Sequence, residues 1–197
     1  MSKLLFVVSI LLTLLVSVQP FSDAQAAQEV HGRPQSPRKA EAVAVDTNEL
    51  EEFPYDAGKV KFIATSEQTA GAYAVVELTE MPGYKTAWHR HNNCEEAFYV
   101  VEGVLTITIA NETHELPAGS YILIPRGTPH AQGNFSAHPV RLLTTFTPGG
   151  FDRFFADRVE LFKTVKPGEV GFQTRFDGLR AKNRHWVEIL GDWTIQK

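Results

Sequence analysis

Between residues 60 and 148 the chain alternates short runs of β-branched and aromatic residues with tight turn signals. This rhythm restricts the fold more than any other feature of the sequence. The runs are 60–64, 72–79, 97–101, 105–110, 121–124 and 140–146. Between them lie Pro82-Gly83, Glu102-Gly103, Asn111-Glu112, Pro117-Ala118-Gly119, Pro125-Arg126-Gly127 and, last, Pro148-Gly149-Gly150. Short strands at this regular spacing predict an all-β sandwich or barrel. Leu105-Thr106-Ile107-Thr108-Ile109 alternates at period two, as a strand with one core face does. Residues 73–76 are apolar on both faces and read as a buried strand.

After Gly150 the period changes. Phe151, Phe154, Phe155, Val159 and Phe162 fall on one face at helical spacing, and Asp152 lies where the positive end of a helix dipole favours it. Lys166-Pro167-Gly168 marks a turn. Phe176, Leu179, Trp186, Ile189 and Leu190 then predict one or two further short helices, so 151–197 reads as a helical extension packing on the barrel. Its helices are expected to cover the outer face of one sheet. The sharper alternative has 151–155 capping the barrel mouth and shaping a pocket.

The N-terminal end differs in character. Met1-Ser2-Lys3 gives a positive start, residues 4–18 are almost wholly apolar, and Ala24-Gln25-Ala26 is a small-x-small cleavage pattern. That is the layout of a secretory signal peptide over 1–26, and the apolar run falls short of the roughly 20 residues of a membrane-spanning helix. Residues 27–48 show no periodicity and read as a flexible leader, leaving 49–150 for the barrel. The expected location is secreted or periplasmic, with no membrane attachment after cleavage. With one cysteine, Cys94, an internal disulfide is impossible. The net charge of −4 and the lack of a basic stripe argue against a nucleic-acid partner.

The chemistry concentrates in four residues. His89 and His91 stand two apart, so in a strand both rings project to one face. Glu96 follows a polar bend and opens the next strand, where its carboxylate can turn back to the same point. His130 follows Pro125-Arg126-Gly127-Thr128-Pro129 and is expected to supply a third imidazole from across the barrel. Three neutral imidazoles and one carboxylate suit a borderline divalent transition metal, and the absence of thiolates argues against a cysteine-built structural zinc site. These residues sit in two fixed frames. The first is Gly83, five residues, His89-Arg90-His91, four residues, Glu96, six residues, Gly103. The second is Gly119, five residues, Pro125, one residue, Gly127, two residues, His130, three residues, Asn134. The spacing to Gly103 selects Glu96 over Glu95. His114, His138 and His185 lie outside both frames and read as surface residues.

The two frames resemble those of the cupin superfamily at every fixed position. The resemblance implies a single jelly-roll barrel with a metal inside it, His89, His91, Glu96 and His130 being the ligands. It implies Fe(II) first, with Mn, Ni, Co, Cu or Zn as alternatives. Phe151, Asp152 and Phe154-Phe155 further resemble single-domain, quercetin-dioxygenase-like cupins. That implies a dioxygenase acting with dioxygen on a phenolic or enolic small molecule, Glu96 doubling as the general base. Two alternatives stand beside it: a non-oxidative lyase, decarboxylase or isomerase of a small hydroxy or carboxy compound, and a non-catalytic ligand-binding cupin. A Cys94–Tyr cross-link, as in some thiol dioxygenases of the superfamily, is disfavoured by the presence of Glu96. The expected pocket residues are Tyr73, Phe98, Val100, Phe146 and Phe151, and Trp88 should face away from His89 into packing. Few anion-binding arginines stand out besides Arg126 and Arg141, which points away from sugar phosphates and dicarboxylates. A homodimer is a reasonable expectation for such a barrel.

Overall fold

The structure, a computed structural model, describes residues 39–40 and 42–194. The expected signal segment 1–26 and most of the leader therefore lie outside the described residues. Two antiparallel sheets enclose one core. The first runs β1 (Phe53–Tyr55), β2 (Gly58–Ala64), β3 (Ala74–Glu80), β10 (Val140–Thr147), β5 (Glu95–Glu102), β8 (Tyr121–Ile124). The second runs β11 (Glu188–Gly191), β4 (Trp88–Arg90), β9 (His130–Gly133), β6 (Val104–Ile109), β7 (Glu112–Pro117). Period two turns Val76 and Leu78 of β3, Phe98 and Val100 of β5, Leu142 and Phe146 of β10, and Leu105 and Ile107 of β6 inward, where each is essentially inaccessible. Burying a side chain of this size contributes about 1.5–3 kcal/mol.

The four glycines of the two frames, Gly83, Gly103, Gly119 and Gly127, all take positive φ. At Gly103 the need is double: φ is +83°, and a Cβ would lie 2.7 Å from the Pro139 carbonyl oxygen. Only glycine fits the β5–β6 turn there.

Helix α1 (Asp152–Thr164) packs on β1, β3 and helix α2 (Phe172–Asn183). Its expected face is the buried one: Phe154, Phe155, Val159 and Phe162, with Phe151 just ahead of them. Asp152 fixes its start, accepting hydrogen bonds from the Ser66 backbone N–H (2.9 Å) and hydroxyl (3.1 Å) beyond the end of β2.

The extension is not wholly helical. Ile189 and Leu190, expected in a helix, belong to β11, which pairs with β4 in the register Ile189↔His89. An edge strand offers a free row of backbone N–H and C=O groups, and four residues at the end of the chain satisfy it better as a strand than as an isolated turn of helix. Glu188 fastens the join, accepting hydrogen bonds from Arg90 Nε (3.0 Å) and Asn92 Nδ2 (2.9 Å).

Candidate metal centre

The second sheet supplies the three imidazoles. His89 is the middle residue of β4, His91 follows that strand directly, and His130 opens β9 as the pairing partner of His89. The expectation that His130 reaches in from across the barrel is therefore corrected. β9 lies next to β4, and the His89 and His130 rings are 4.2 Å apart between centroids. The group that crosses is Glu96, from β5 of the first sheet. Its Oε2 lies 2.9 Å from His130 Nε2 and 3.1 Å from His91 Nε2. One donor atom from each of the four residues lies within 4.8 Å of the others, and all four residues are buried.

Each ring is held by its other nitrogen. Nδ1 of His89 donates to the Ala87 carbonyl (2.8 Å), Nδ1 of His130 to that of Thr128 (2.9 Å), and Nδ1 of His91 to that of Trp186 (3.1 Å). A main-chain carbonyl only accepts, so the proton of each neutral imidazole sits on Nδ1 and the Nε2 lone pair is left free for a ligand role. Burial, reinforced by His130 and His91, pushes His89 down to about 3, so it stays neutral. For Glu96 burial acts against ionisation, but the proximity of His91 and His130 outweighs it and holds the carboxyl well below its usual range. His91 Nε2 is buried and, despite its nearness to Glu96, has no hydrogen bond among the described residues. An orphaned nitrogen beside an ionised, buried carboxylate is costly in a closed barrel and is relieved by a cation. The cluster fits a divalent metal site.

A cavity of 240 Å³ opens on this cluster, with His89, His91 and Glu96 in its wall. Of the expected pocket residues, Phe151 lines it, its ring 4.5 Å from that of His91. The others are corrected. Phe98 and Val100 share the inward face of Glu96 but are sealed in the core, as is Phe146 behind Phe151. Tyr73 is 44% exposed, because the alternation that turns Ala74 inward turns its neighbour out. Trp88 does face away from His89, yet onto an outer groove shared with Trp193, not into core packing. The helices form the rest of the wall: Phe154, Phe155 and Arg158 of α1, Phe176 and Arg180 of α2. Thus α1 lines the cavity, as the sharper alternative had it. Arg126 and Arg141 are not in this wall. Arg126 lies 4.0 Å from Glu95, and Arg141 pairs with Glu77 (3.1 Å). The cavity's arginines are Arg158 and Arg180, which sequence reasoning did not single out.

Sequence reasoning also missed a buried polar group at the inner end. Tyr55 and Tyr84, both cavity residues, are hydrogen-bonded through their hydroxyls, and burial pushes Tyr55 up to about 12 and Tyr84 well above its ordinary value. Glu80 is fully buried. It accepts a bond from Gln132 Nε2 (3.4 Å), and burial raises its pKa to about 8. Its other oxygen has no partner among the described residues. Burial likewise pushes the Cys94 thiol up to about 12, which makes it inert. Glu95 is half-buried beside Arg126, and His114, His138 and His185 are exposed.

Residues 76–146 match the family model described as Cupin domain. The chain is 38% identical over 66 residues to an uncharacterized protein of Methanocaldococcus jannaschii, covering 34% of this chain and 53% of that protein. It is 26% identical over 95 residues to quercetin 2,3-dioxygenase of Bacillus subtilis, covering 48% of this chain and 28% of that protein. The matches thus span about half, or less, of the length of these relatives. The solved structure of a predicted oxalate decarboxylase from Thermotoga maritima superposes with a TM-score of 0.50 at 14% identity, covering 53% of this chain and 98% of that one. At that identity the likeness concerns the fold alone.

Proposed function

With residues 76–146 forming a cupin domain, we propose that this chain is a metal-dependent enzyme of small phenolic or enolic molecules, with dioxygenase chemistry as the leading reaction. The observation that carries the reading is the set of three imidazoles, each proton-locked on Nδ1 by a main-chain carbonyl, facing one ionised carboxylate at the wall of a cavity. His89, His91, Glu96 and His130 are the proposed holders of one divalent ion, Fe(II) first. Such an ion supplies a Lewis-acidic centre and, when redox-active, one-electron chemistry with dioxygen.

The chain's own groups do the rest. Glu96 is the ionised acceptor at the cavity wall for the proton of a substrate hydroxyl. Phe151, Phe154 and Phe155 exclude water and offer ring faces for a planar substrate. At 240 Å³ the cavity is smaller than the roughly 300–1,000 Å³ typical of sites for drug-sized ligands, which favours a single-ring substrate over a flavonol. The similarity to quercetin 2,3-dioxygenase supports oxygenase chemistry more than that enzyme's substrate.

The Tyr55–Tyr84 pair in the cavity wall favours a second reading. Proton-bearing groups inside the barrel suit enolisation or decarboxylation without oxygen. Oxygen uptake by the metal-loaded protein with catechols and small enols separates the two. Turnover that stops under anaerobic conditions supports the dioxygenase. Turnover that continues there supports the second reading. Metal-free protein purified from metal-replete cells would count against both. The apolar run and cleavage pattern of residues 1–26 support export to the periplasm or the medium, and a mature N-terminus at Ala27 by mass spectrometry is the expected result.

A further inference from the structure

Arg158 is a buried charge that the described residues satisfy only in part. It is 7% exposed, on the cavity-facing side of α1, with its guanidinium 4.6 Å above the Tyr55 ring and near those of Phe154 (5.3 Å) and Phe176 (5.2 Å). Its Nη2 pairs with Asp56, while its Nε is buried with no partner among the described residues. Arg180 of α2 adds a second guanidinium over the same Phe176 ring (5.2 Å) and makes no ion pair among the described residues; burial first, and then the charge of Arg180, lower the pKa of Arg158. Both line the cavity that reaches His89, His91 and Glu96. Two like charges over one ring, one buried and half-satisfied by Asp56 and the other with no carboxylate partner among the described residues, are electrostatically incomplete. The charged cavity residues are Lys85, Arg158 and Arg180 against Asp56 and Glu96, three positive to two negative, so the wall carries net positive charge before any cation is added.

We propose that Arg158 and Arg180 form an anion subsite that holds the carboxylate of the substrate. The aromatic rings grip its planar body, and its hydroxyl end faces His89, His91 and Glu96. The substrate class is therefore a small hydroxyaryl or enolic carboxylic acid. Arg158 is the inner donor: its pairing with Asp56 and the aromatic cage fix the guanidinium plane, the condition for directional carboxylate binding. Arg180, less buried, completes the charge from the second helix. This deepens the proposed function and rests on it for the role of the opposite end.

The test uses two probes of one shape, 4-hydroxybenzoate and its neutral amide 4-hydroxybenzamide. Binding to the metal-loaded full chain is measured by calorimetry. The acid should bind about tenfold or more tighter than the amide. Arg158→Met should abolish this preference, Arg158→Lys should restore part of it, and Arg180→Gln should reduce it several-fold. A purely structural role for Arg158 would weaken both probes alike. If Arg158→Met fails to fold, Arg180→Gln and Arg158→Lys carry the test. Equal affinity of the two probes in the wild type, no acid binding at about 10 mM, or an intact preference in the arginine variants overturns the subsite. Metal content measured on the same samples keeps the two readings apart. Bound metal without acid preference sinks the subsite alone, and acid preference without metal sinks the metal reading alone.

Discussion

Replacing His130 by Ala removes an imidazole whose proton is already fixed by the Thr128 carbonyl and whose Nε2 contacts Glu96. Bound metal should fall about tenfold or more, since losing a direct ligand costs at least as much as losing its supporting partner. His114→Ala, on the exposed edge strand β7, should leave metal content unchanged. Elemental analysis of both variants checks the ligand set, and an equal loss from the two would discredit it. Glu80 gives a pH signature. Its folded pKa is raised from the ordinary 4.5 to about 8 by burial, so above pH 4.5 the folded chain keeps a proton that the unfolded chain has lost. Stability from this group therefore falls as pH rises through that window and is level on either side. Each unit is worth about 1.4 kcal/mol, so Glu80→Gln should gain on the wild type by roughly 3 kcal/mol between about pH 5 and pH 8. Denaturant unfolding with chelator present measures the gap, and a gap that does not change with pH would mean Glu80 is hydrated or ionised. His89, His91, Glu96 and His130 were legible in the sequence because their spacing and the turn residues around them are local. Glu80 and Arg158 were not, because what marks them is an environment assembled by distant segments.

Strands with an apolar inward face are legible in the sequence, and strands whose inward face is polar are much less so. β8 was read with its observed bounds, and β2, β3, β5, β6 and β10 to within two residues at each end, since each shows β-branched or alternating residues. β4 and β9 are legible only through their histidines, with no bounds. Trp88-His89-Arg90 and His130-Ala131-Gln132-Gly133 spend their inward positions on polar groups, so the apolar period is missing where the site is. β7, exposed at nearly every position, has no core face to leave a trace. The junction of barrel and extension offers an element-scale test at Gly150. Its φ is +145°, and a Cβ there would lie 2.2 Å from Trp186 Cζ2. Gly150→Ala should therefore displace the indole at a cost of about 1–3 kcal/mol. Because the Trp186 carbonyl holds the His91 ring, metal retention should fall with stability. Unfolding curves alongside metal analysis check this, and a loss of stability with full metal content would mean that the indole moves without its backbone.

At the scale of the molecule, the barrel closes around a carboxylate and three imidazoles whose ligand atoms lie within 4.8 Å of one another. A metal that binds only the folded chain should stabilise it by about 2.7 kcal/mol at a hundredfold excess over its Kd. Chelation should lower the Tm accordingly, and an unchanged Tm would mean that the folded barrel does not hold the ion. The jelly-roll was legible because short strands and fixed turns dictate it. The placement of α1 and α2 against the cavity was not, because an amphipathic stripe specifies that a helix docks and not on what.

The carbonyl of Trp186 steadies His91 from a point ninety-five residues further along the chain. A chain that lacks Trp186 therefore leaves one of the three imidazoles free to rotate. Residues 186–191 thus brace the site twice, through that carbonyl and through the pairing of β11 with β4, and a chain cut at residue 184 should hold metal poorly. Full metal loading of that truncated chain would show that the histidines hold the ion without either brace.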